Sequence, residues 1–185
     1  LGSPRRAIVW QDRRTAGMCA SMREAGNEPL VARLTGLRLD PYFSGTKLAW
    51  VRTEDPETWR RIMSGEVAVG TVDSYLIARL TGGAVHVTDP SNASRTLLFD
   101  LEKGVWSDEL CDLFGVLWDA LPELVPSGGE MGPPDPAKFC GLALTIRNRR
   151  NCWPRRFLTD PRGSRPTRWR SPTPICAGVI PTGPG

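Results

Sequence analysis

Short apolar runs alternate with helical patterns over residues 1–132 of the 185-residue chain, and this alternation restricts the fold more than any other feature. Four runs have the length and apolar character of strands: residues 7–10, 66–69, 84–87 and 96–101. A turn at Asp89-Pro90-Ser91-Asn92 separates the last two. Strands that alternate with helices predict an α/β layer architecture.

The helices are predicted from apolar spacing and from capping residues. The first predicted helix is residues 12–25, with a stop at Gly26. The second is capped by Ser44 and has Leu48 and Val51 on its apolar stripe, and the third starts at Asp55-Pro56. The fourth has Val72, Leu76 and Leu80 on its buried face, and the fifth is capped by Ser107 and has Leu110, Phe114 and Leu117 on one face. Gly82-Gly83 is predicted to end the fourth of these.

The composition changes near residue 133. Residues 133–185 hold nine Arg, one Lys and two Asp, a net charge of 10 − 2 = +8, and ten of the 17 prolines. Residues 1–132 hold 24 − 10 = 14 basic and 20 − 2 = 18 acidic side chains, a net charge of −4. Only residues 139–146 of the second segment are apolar enough for a strand or short helix. We therefore predict an α/β segment, 1–132, and an irregular basic tail, 133–185.

Several classes of site are disfavoured by the sequence. The five cysteines, an odd number without a Cys-x-x-Cys pair, are Cys19, Cys111, Cys140, Cys152 and Cys176. With His86 as the single histidine, a zinc site, a disulfide framework and a Ser-His-Asp triad lack their residues, so the thiols are expected to be reduced and structural. Neither the phosphate-loop motif Gly-x-x-x-x-Gly-Lys-Ser/Thr nor Gly-x-Gly-x-x-Gly occurs.

The same sequence predicts a cytoplasmic chain without a membrane partner. No stretch approaches the roughly 18 apolar residues of a membrane helix, and the first residues contain no long apolar segment typical of a secretory signal. The first residue is Leu rather than Met, from which we expect an internal fragment.

Five segments carry a resemblance to a known family. They are Ala-Ile-Val-Trp-Gln-Asp-Arg-Arg-Thr at 7–15, Asp-Pro-Tyr-Phe-Ser-Gly-Thr-Lys-Leu-Ala-Trp at 40–50, Gly-Thr-Val-Asp-Ser-Tyr-Leu-Ile at 70–77, His-Val-Thr-Asp-Pro-Ser-Asn-Ala-Ser-Arg-Thr at 86–96 and Leu-Pro-Glu-Leu at 121–124. Together they resemble the FGGY carbohydrate kinase family, and within it the glycerol kinases, over about residues 7–132.

The resemblance implies a partial actin-like ATPase (ribonuclease H-like) domain and, for an intact member, ATP-dependent phosphorylation of glycerol to glycerol 3-phosphate. ATP and Mg²⁺ are the implied cofactors, glycerol is the implied partner, and the intact family suggests a homo-oligomer. The resemblance also implies that Tyr42 gives its hydroxyl to glycerol and that Trp10 packs against the carbon backbone of glycerol, while Arg13 and Asp73 support the region without a catalytic role.

Each of these residues also has a structural interpretation from the sequence alone. Trp10 at a strand end is typical of a core residue, and an aromatic residue after a proline, such as Tyr42, usually packs against its neighbours. Lys47 and Trp50, one helical turn apart, are expected to form a structural pair. Asp89 and Asn92 are expected to form a turn, and His86 is expected to be structural rather than a proton carrier.

The chain departs from the family pattern at both ends. The family's Asp-x-Gly-Thr-Thr phosphate segment, its Arg-Glu glycerol ligands and its Gly-Asp-Gln segment with the general base are not in the sequence, so no catalytic, nucleotide-binding or metal-binding residue is assigned. We therefore expect the fragment to be inactive alone, unless another chain supplies the missing parts.

Two interpretations of the tail are open. An out-of-frame segment explains the loss of Glu and the gain of Arg, Pro, Ser and Trp, and it is the one we favour. The alternative is a non-catalytic kinase relic whose basic tail binds nucleic acid or an anionic surface through arginines interleaved with tryptophans. Those residues are Arg147, Arg149, Arg150, Arg155, Arg156, Arg168, Arg170, Trp153 and Trp169.

Overall fold

The computed structural model describes residues 6–138, 146 and 173–176. Its helices are α1 (Ala16–Glu24), α2 (Glu28–Thr35), α3 (Ser44–Glu54), α4 (Pro56–Met63), α5 (Val72–Leu80), α6 (Pro90–Ala93) and α7 (Asp108–Phe114). Its strands are β1 (Val67–Gly70), β2 (Val87–Thr88), β3 (Phe99–Asp100), β4 (Val105–Trp106), β5 (Glu123–Leu124) and β6 (Thr173–Cys176). Short 3₁₀ turns lie at Trp118–Ala120 and Pro136–Lys138.

The strands form three two-stranded ladders in the part of the chain that the structure describes. β1 pairs with β6 in parallel, with Val67 opposite Thr173, and β2 pairs with β5 in parallel, with Val87 opposite Glu123. β3 and β4 pair antiparallel, with Phe99 opposite Trp106. Parallel pairs joined through helices confirm the α/β class.

The main core lies where α2, α3 and α7 pack around β3 and β4. Val31, Leu98, Phe99, Leu110 and Phe114 are each at most 1% exposed. Burial of one such side chain contributes about 1.5–3 kcal/mol. This core therefore positions the buried N-terminal end of α3 and the loop that precedes it, in which Tyr42 is exposed.

Local signals explain where several helices begin and end. Asp55 caps α4 by accepting a hydrogen bond from the backbone N–H of Thr58 at 3.2 Å, and Pro56 is the first helical residue. Ser107 caps α7 in the same way, accepting from the N–H of Leu110 at 3.3 Å. The sequence prediction is confirmed at these two helix starts. It is also confirmed at β1 and for the buried residues Leu48 and Val51 of α3.

Five local predictions were wrong. Residues 7–10 form no strand, because no described segment pairs with their backbone; Ile8 is buried, but Val9 and Trp10 are 51% and 61% exposed. Ser44 is the first residue of α3 rather than its cap, and Phe43 precedes it in extended conformation without a side-chain cap. α1 begins at Ala16, four residues later than expected, although Gly26 ends it at φ +81°.

The other two errors concern which face of a helix is buried. In α5 the buried residues are Ser74, Ile77 and Ala78, whereas Val72 and Leu76 are 64% and 50% exposed. Leu117 is 41% exposed because α7 stops at Phe114, before Gly115 at φ +65°. In α5 the apolar spacing i, i+4 and i+8 of Val72, Leu76 and Leu80 therefore predicted the wrong buried face.

Several elements were not predicted, among them α2, β4, β5 and β6. α2 starts with a proline in its first turn and ends at Gly36 with φ +68°, and these signals were present in the sequence. β6 lies in the segment expected to be irregular. The apolar run 139–145 and the Arg/Trp-rich residues of the tail lie outside the described residues.

Candidate aromatic site

Trp10 and Tyr42 lie side by side at the protein surface. Their ring centroids are 5.9 Å apart, at an interplanar angle of 51°, and the two side chains belong to residues 61% and 40% exposed. Trp10 is therefore not a core residue, in contrast to its structural interpretation. The two residues assigned by resemblance form one exposed aromatic corner.

The loop before α3 fixes the backbone of Tyr42. The N–H of Tyr42 donates to Asp40 Oδ1 at 2.8 Å, and the ammonium of Lys47 donates to the Tyr42 carbonyl at 2.9 Å. The Phe43 ring contacts the Tyr42 ring edge-on, with centroids 4.9 Å apart. Both the backbone and the ring of Tyr42 thus have defined partners in this structure.

Arg95 lies over the same corner. Its guanidinium carbon is 5.3 Å from the Tyr42 ring centroid and 5.0 Å from that of Phe43, distances suited to cation–π attraction. Arg95 is exposed and follows α6, 53 residues beyond Tyr42 in the chain. The sequence contains this arginine within a family segment, but a cation above a ring cannot be read from spacing, so its position was missed.

A second polar group lies beside the aromatic corner. Arg14 holds Asp12 through two side-chain bonds, of 2.9 and 2.7 Å, and its guanidinium lies 4.4 Å from the Trp50 ring centroid. The hydrogen bonds from Arg14 hold the pKa of the Asp12 carboxyl at about 2, well below its ordinary value. Lys47 donates to the Tyr42 carbonyl, Trp50 lies beneath the Arg14 guanidinium, and Arg13 is exposed.

Asp73 belongs to a different part of the molecule. Its carboxylate accepts hydrogen bonds from the hydroxyls of Thr71 and Thr88, the latter at 2.6 Å, and these link the start of α5 to β2. His86 is buried nearby, where its Nε2 donates to the Val69 carbonyl at 2.9 Å. Burial lowers the pKa of His86 to about 4, so its ring is neutral, as expected for a structural histidine.

Asp89 anchors the turn after β2. Its carboxylate accepts from the hydroxyls of Ser127 and Ser91 and from both the backbone N–H and the side-chain amide of Asn92. Burial would raise the pKa of Asp89, but these hydrogen bonds outweigh it and the pKa is lowered. The turn interpretation of Asp89 and Asn92 is consistent with this geometry, which forms the short helix α6.

A separate cleft lies away from the aromatic corner. It is lined mainly by apolar residues, including Leu48 of α3, Val69 of β1, Trp106 of β4 and Leu98. Neither Trp10 nor Tyr42 lines it. We take the aromatic corner as the candidate site because it carries exposed rings and fixed polar groups, whereas the cleft lining offers little polar surface.

The described residues offer no other obvious chemistry. Among them no three His, Cys, Asp or Glu side chains gather in a way that could hold a metal ion, and no helix is long and apolar enough to cross a membrane. Cys19 and Cys111 are buried free thiols, and burial raises the pKa of each, to about 12 for Cys111. Both therefore behave as structural thiols.

Comparison with known proteins identifies relatives of this arrangement. The chain is 58% identical over 142 residues to a glycerol kinase from Methylobacterium nodulans, a match covering 77% of this chain and 28% of the relative. A glycerol kinase from Bradyrhizobium diazoefficiens is 52% identical over 136 residues, covering 74% of this chain and 27% of that protein. The chain thus spans little more than a quarter of the length of these relatives.

A solved structure and a family description lead to the same group. The crystal structure of Plasmodium falciparum glycerol kinase with ADP superimposes with a TM-score of 0.70 at 28% identity, over 76% of this chain and 28% of that one. The description of the FGGY family of carbohydrate kinases, N-terminal domain, matches residues 4–146. The chain therefore belongs to the FGGY family of carbohydrate kinases, of whose N-terminal domain it forms a part.

Proposed function

We propose that this chain supplies one wall of the polyol site of a kinase that transfers a phosphoryl group from ATP to glycerol. The single observation that supports the proposal most is the contact of Trp10 with Tyr42, two residues that the sequence separates by 32 positions and the fold brings to a centroid distance of 5.9 Å. The identity to glycerol kinases over this stretch supports glycerol as the acceptor.

The corner has the chemistry that a small polyol requires. A polyol presents hydroxyl groups on its edges and a carbon chain between them, so it is held by oriented hydrogen bonds and an apolar surface. The phenol hydroxyl of Tyr42 can donate to or accept from a substrate hydroxyl, and the exposed face of Trp10 can cover the carbon chain. Both side chains are exposed enough to be reached by a ligand.

The described residues do not fit the nucleotide or its metal. Phosphoryl transfer depends on charge neutralisation of the phosphates by metal ions and basic groups. No acidic cluster of that kind is present in the described residues, and the sequence contains no phosphate-binding glycine loop. We therefore propose that the ATP and Mg²⁺ sites lie in other parts of the intact kinase, and that this chain has no turnover by itself.

Glycerol binding to the 185-residue chain tests the proposal. Replacing Tyr42 by Phe removes one hydroxyl and keeps the ring, so we expect about tenfold weaker glycerol binding, because one hydrogen bond contributes about 1 kcal/mol or somewhat more. Tyr75→Phe removes the other tyrosine hydroxyl of the chain and serves as the matched control. Calorimetric titration that gives equal glycerol affinities for the two variants would contradict the assignment of Tyr42.

The remaining assignments concern the whole protein. We propose a cytoplasmic location and a homo-oligomeric intact kinase, with neither a membrane nor a nucleic acid as partner. We also propose that a change of reading frame produced the basic tail; the family match, which continues to residue 146, favours a change near the end of that match. Sequencing of the coding DNA, translated in all three frames, tests this origin.

A further inference from the structure

Lys47 is a buried lysine at a helix position that an apolar residue could also occupy. It lies in the first turns of α3 and is only 3% exposed. Removing an ammonium group from water is unfavourable unless polar partners replace the water, and apolar side chains of the same volume often stabilise a protein as well or better. A buried lysine therefore needs a reason beyond packing.

The contacts of Lys47 supply that reason. Its ammonium donates to the carbonyl of Tyr42 at 2.9 Å, and Asp40 accepts from the N–H of the same residue at 2.8 Å. The backbone N–H and the backbone carbonyl of Tyr42, on either side of its Cα, are thus held by side chains of opposite charge. Burial lowers the pKa of Lys47, the carboxylates of Asp12 and Asp40 oppose this change, and Arg14 adds to it.

The ring of Tyr42 is held as well as its backbone. Trp10, Phe43 and Arg95 contact it from different directions. A binding residue that is fixed before the ligand arrives loses less conformational freedom on binding. Lys47, at 3% exposed, is less exposed than Trp10, Phe43 and Arg95, which contact the ring.

We propose that Lys47 is a positioning residue that fixes Tyr42 for polyol recognition, with Asp40 as its counterpart on the other side of the backbone. Lys47 itself touches no substrate in this proposal. The connection to a polyol rests on the proposed function, whereas the effect of Lys47 on the placement of Tyr42 does not. The two parts are therefore tested by different signals.

Fluorine NMR separates the two parts, because the chain has only two tyrosines, Tyr42 and Tyr75. The chain is labelled with 3-fluorotyrosine, and Tyr42→Phe assigns the two resonances. In Lys47→Met we expect the Tyr42 resonance to shift and broaden while that of Tyr75 stays in place. Lys103→Met removes a charge of the same kind from an exposed position, 66% exposed beside Asp100, and should move neither resonance.

Glycerol is then added to each labelled chain. In the unsubstituted chain we expect the Tyr42 resonance to move with glycerol. In Lys47→Met we expect up to about tenfold weaker glycerol binding, because a Tyr42 that is not held in advance loses more conformational freedom when glycerol binds. Lys47→Gln keeps an N–H donor, so it should restore part of the affinity and of the resonance position. A purely structural lysine would show no such partial recovery at the Tyr42 signal.

The outcomes decide each part separately. A Tyr42 resonance that is unchanged in Lys47→Met overturns the positioning role, whatever glycerol does. A resonance that moves with Lys47→Met but not with glycerol supports positioning and contradicts the proposed function. If Lys47→Met does not fold, Asp40→Ala decides in its place, because it removes the other backbone contact of Tyr42, and an unchanged Tyr42 signal in that variant overturns the proposal.

Discussion

Helices α3 and α5 are similar in length, yet they differ in whether their larger apolar residues are buried or exposed. In α3 the buried face contains Leu48 and Val51 together with the polar Thr46 and Lys47. In α5 the buried face contains Ser74, Ile77 and Ala78, and the larger Val72 and Leu76 are exposed. Size and hydrophobicity alone therefore do not tell which face of a helix is buried.

The two helices differ in what they pack against. The start of α3 approaches Thr96 so closely that the N–H of Gly45 donates to the Thr96 carbonyl at 2.7 Å, and this contact fixes its rotation. The rotation of α5 is fixed by its polar first turn, where Asp73 accepts from Thr71 and Thr88. Specific polar and backbone contacts thus select the face, and apolar periodicity only limits the choices.

The largest expected effect is at Ile77, on the buried face of α5. Ile77 is 5% exposed and packs with Val87 and Met131, so Ile77→Ala leaves a cavity and should lower the free energy of unfolding by about 3 kcal/mol. Urea unfolding followed by circular dichroism measures this. Equal losses for Ile77→Ala and Leu76→Ala would show that the face assigned here to the core is wrong.

The next effect is a pH dependence centred on His86, beside the start of α5. The pKa of His86 is about 4 in the folded chain and about 6.5 when unfolded, so the unfolded state binds the proton first as pH falls. Stability is fully present above pH 6.5 and falls between pH 6.5 and 4, by up to about 3 kcal/mol. Urea unfolding at several pH values measures it.

The control for this pH dependence is His86→Gln, which keeps an N–H donor for the Val69 carbonyl and cannot titrate. We expect its stability to be nearly flat across that interval. The buried Asp89, with a lowered pKa, loses its contribution only below about pH 4, its ordinary pKa being 3.8, so it does not interfere. A His86→Gln chain with the same slope as the unsubstituted chain would contradict the assignment.

A smaller effect is expected at Gly45 in α3. An added Cβ there would lie 2.9 Å from the Thr96 carbonyl oxygen and 3.2 Å from the Phe114 ring, so Gly45→Ala should lower the free energy of unfolding by about 2 kcal/mol, despite the better helix propensity of alanine. Gly17 in α1 has open space around the same position, and Gly17→Ala should be neutral or slightly stabilising. Thermal unfolding of both variants compares them; a Gly45→Ala chain as stable as Gly17→Ala would show that α3 does not approach Thr96 closely.

The sequence predicts the fold class and the starts of α4 and α7 because these depend on local chemistry. Asp55 and Ser107 cap their helices by accepting from backbone N–H groups three residues further along, so their roles are visible in the chain. The strand predicted at 7–10 failed because a strand also needs a partner, which no local pattern shows. The exposure of Val72 and Leu76 likewise depends on what lies across from α5.

The candidate site, too, could be predicted from the sequence only in part. Trp10 and Tyr42 were identified only through family segments, since neither residue carries a local signal for a ligand. The positions of Arg95 above Tyr42 and of Lys47 beneath its carbonyl depend on how three separate segments meet, and spacing does not contain that information. Sequence patterns therefore find the residues of a family segment more readily than the contacts that position them.

The smallest expected effect is at Leu76, on the exposed face of α5. Because Leu76 is 50% exposed, Leu76→Ala removes little buried area and should change the free energy of unfolding by no more than about 0.5 kcal/mol, in contrast to Ile77 next to it. Urea unfolding under the conditions used for Ile77→Ala measures the pair. A loss above 1.5 kcal/mol, on the order of a fully buried side chain, would mean that this face is covered in solution and that α3 and α5 bury their large apolar residues alike.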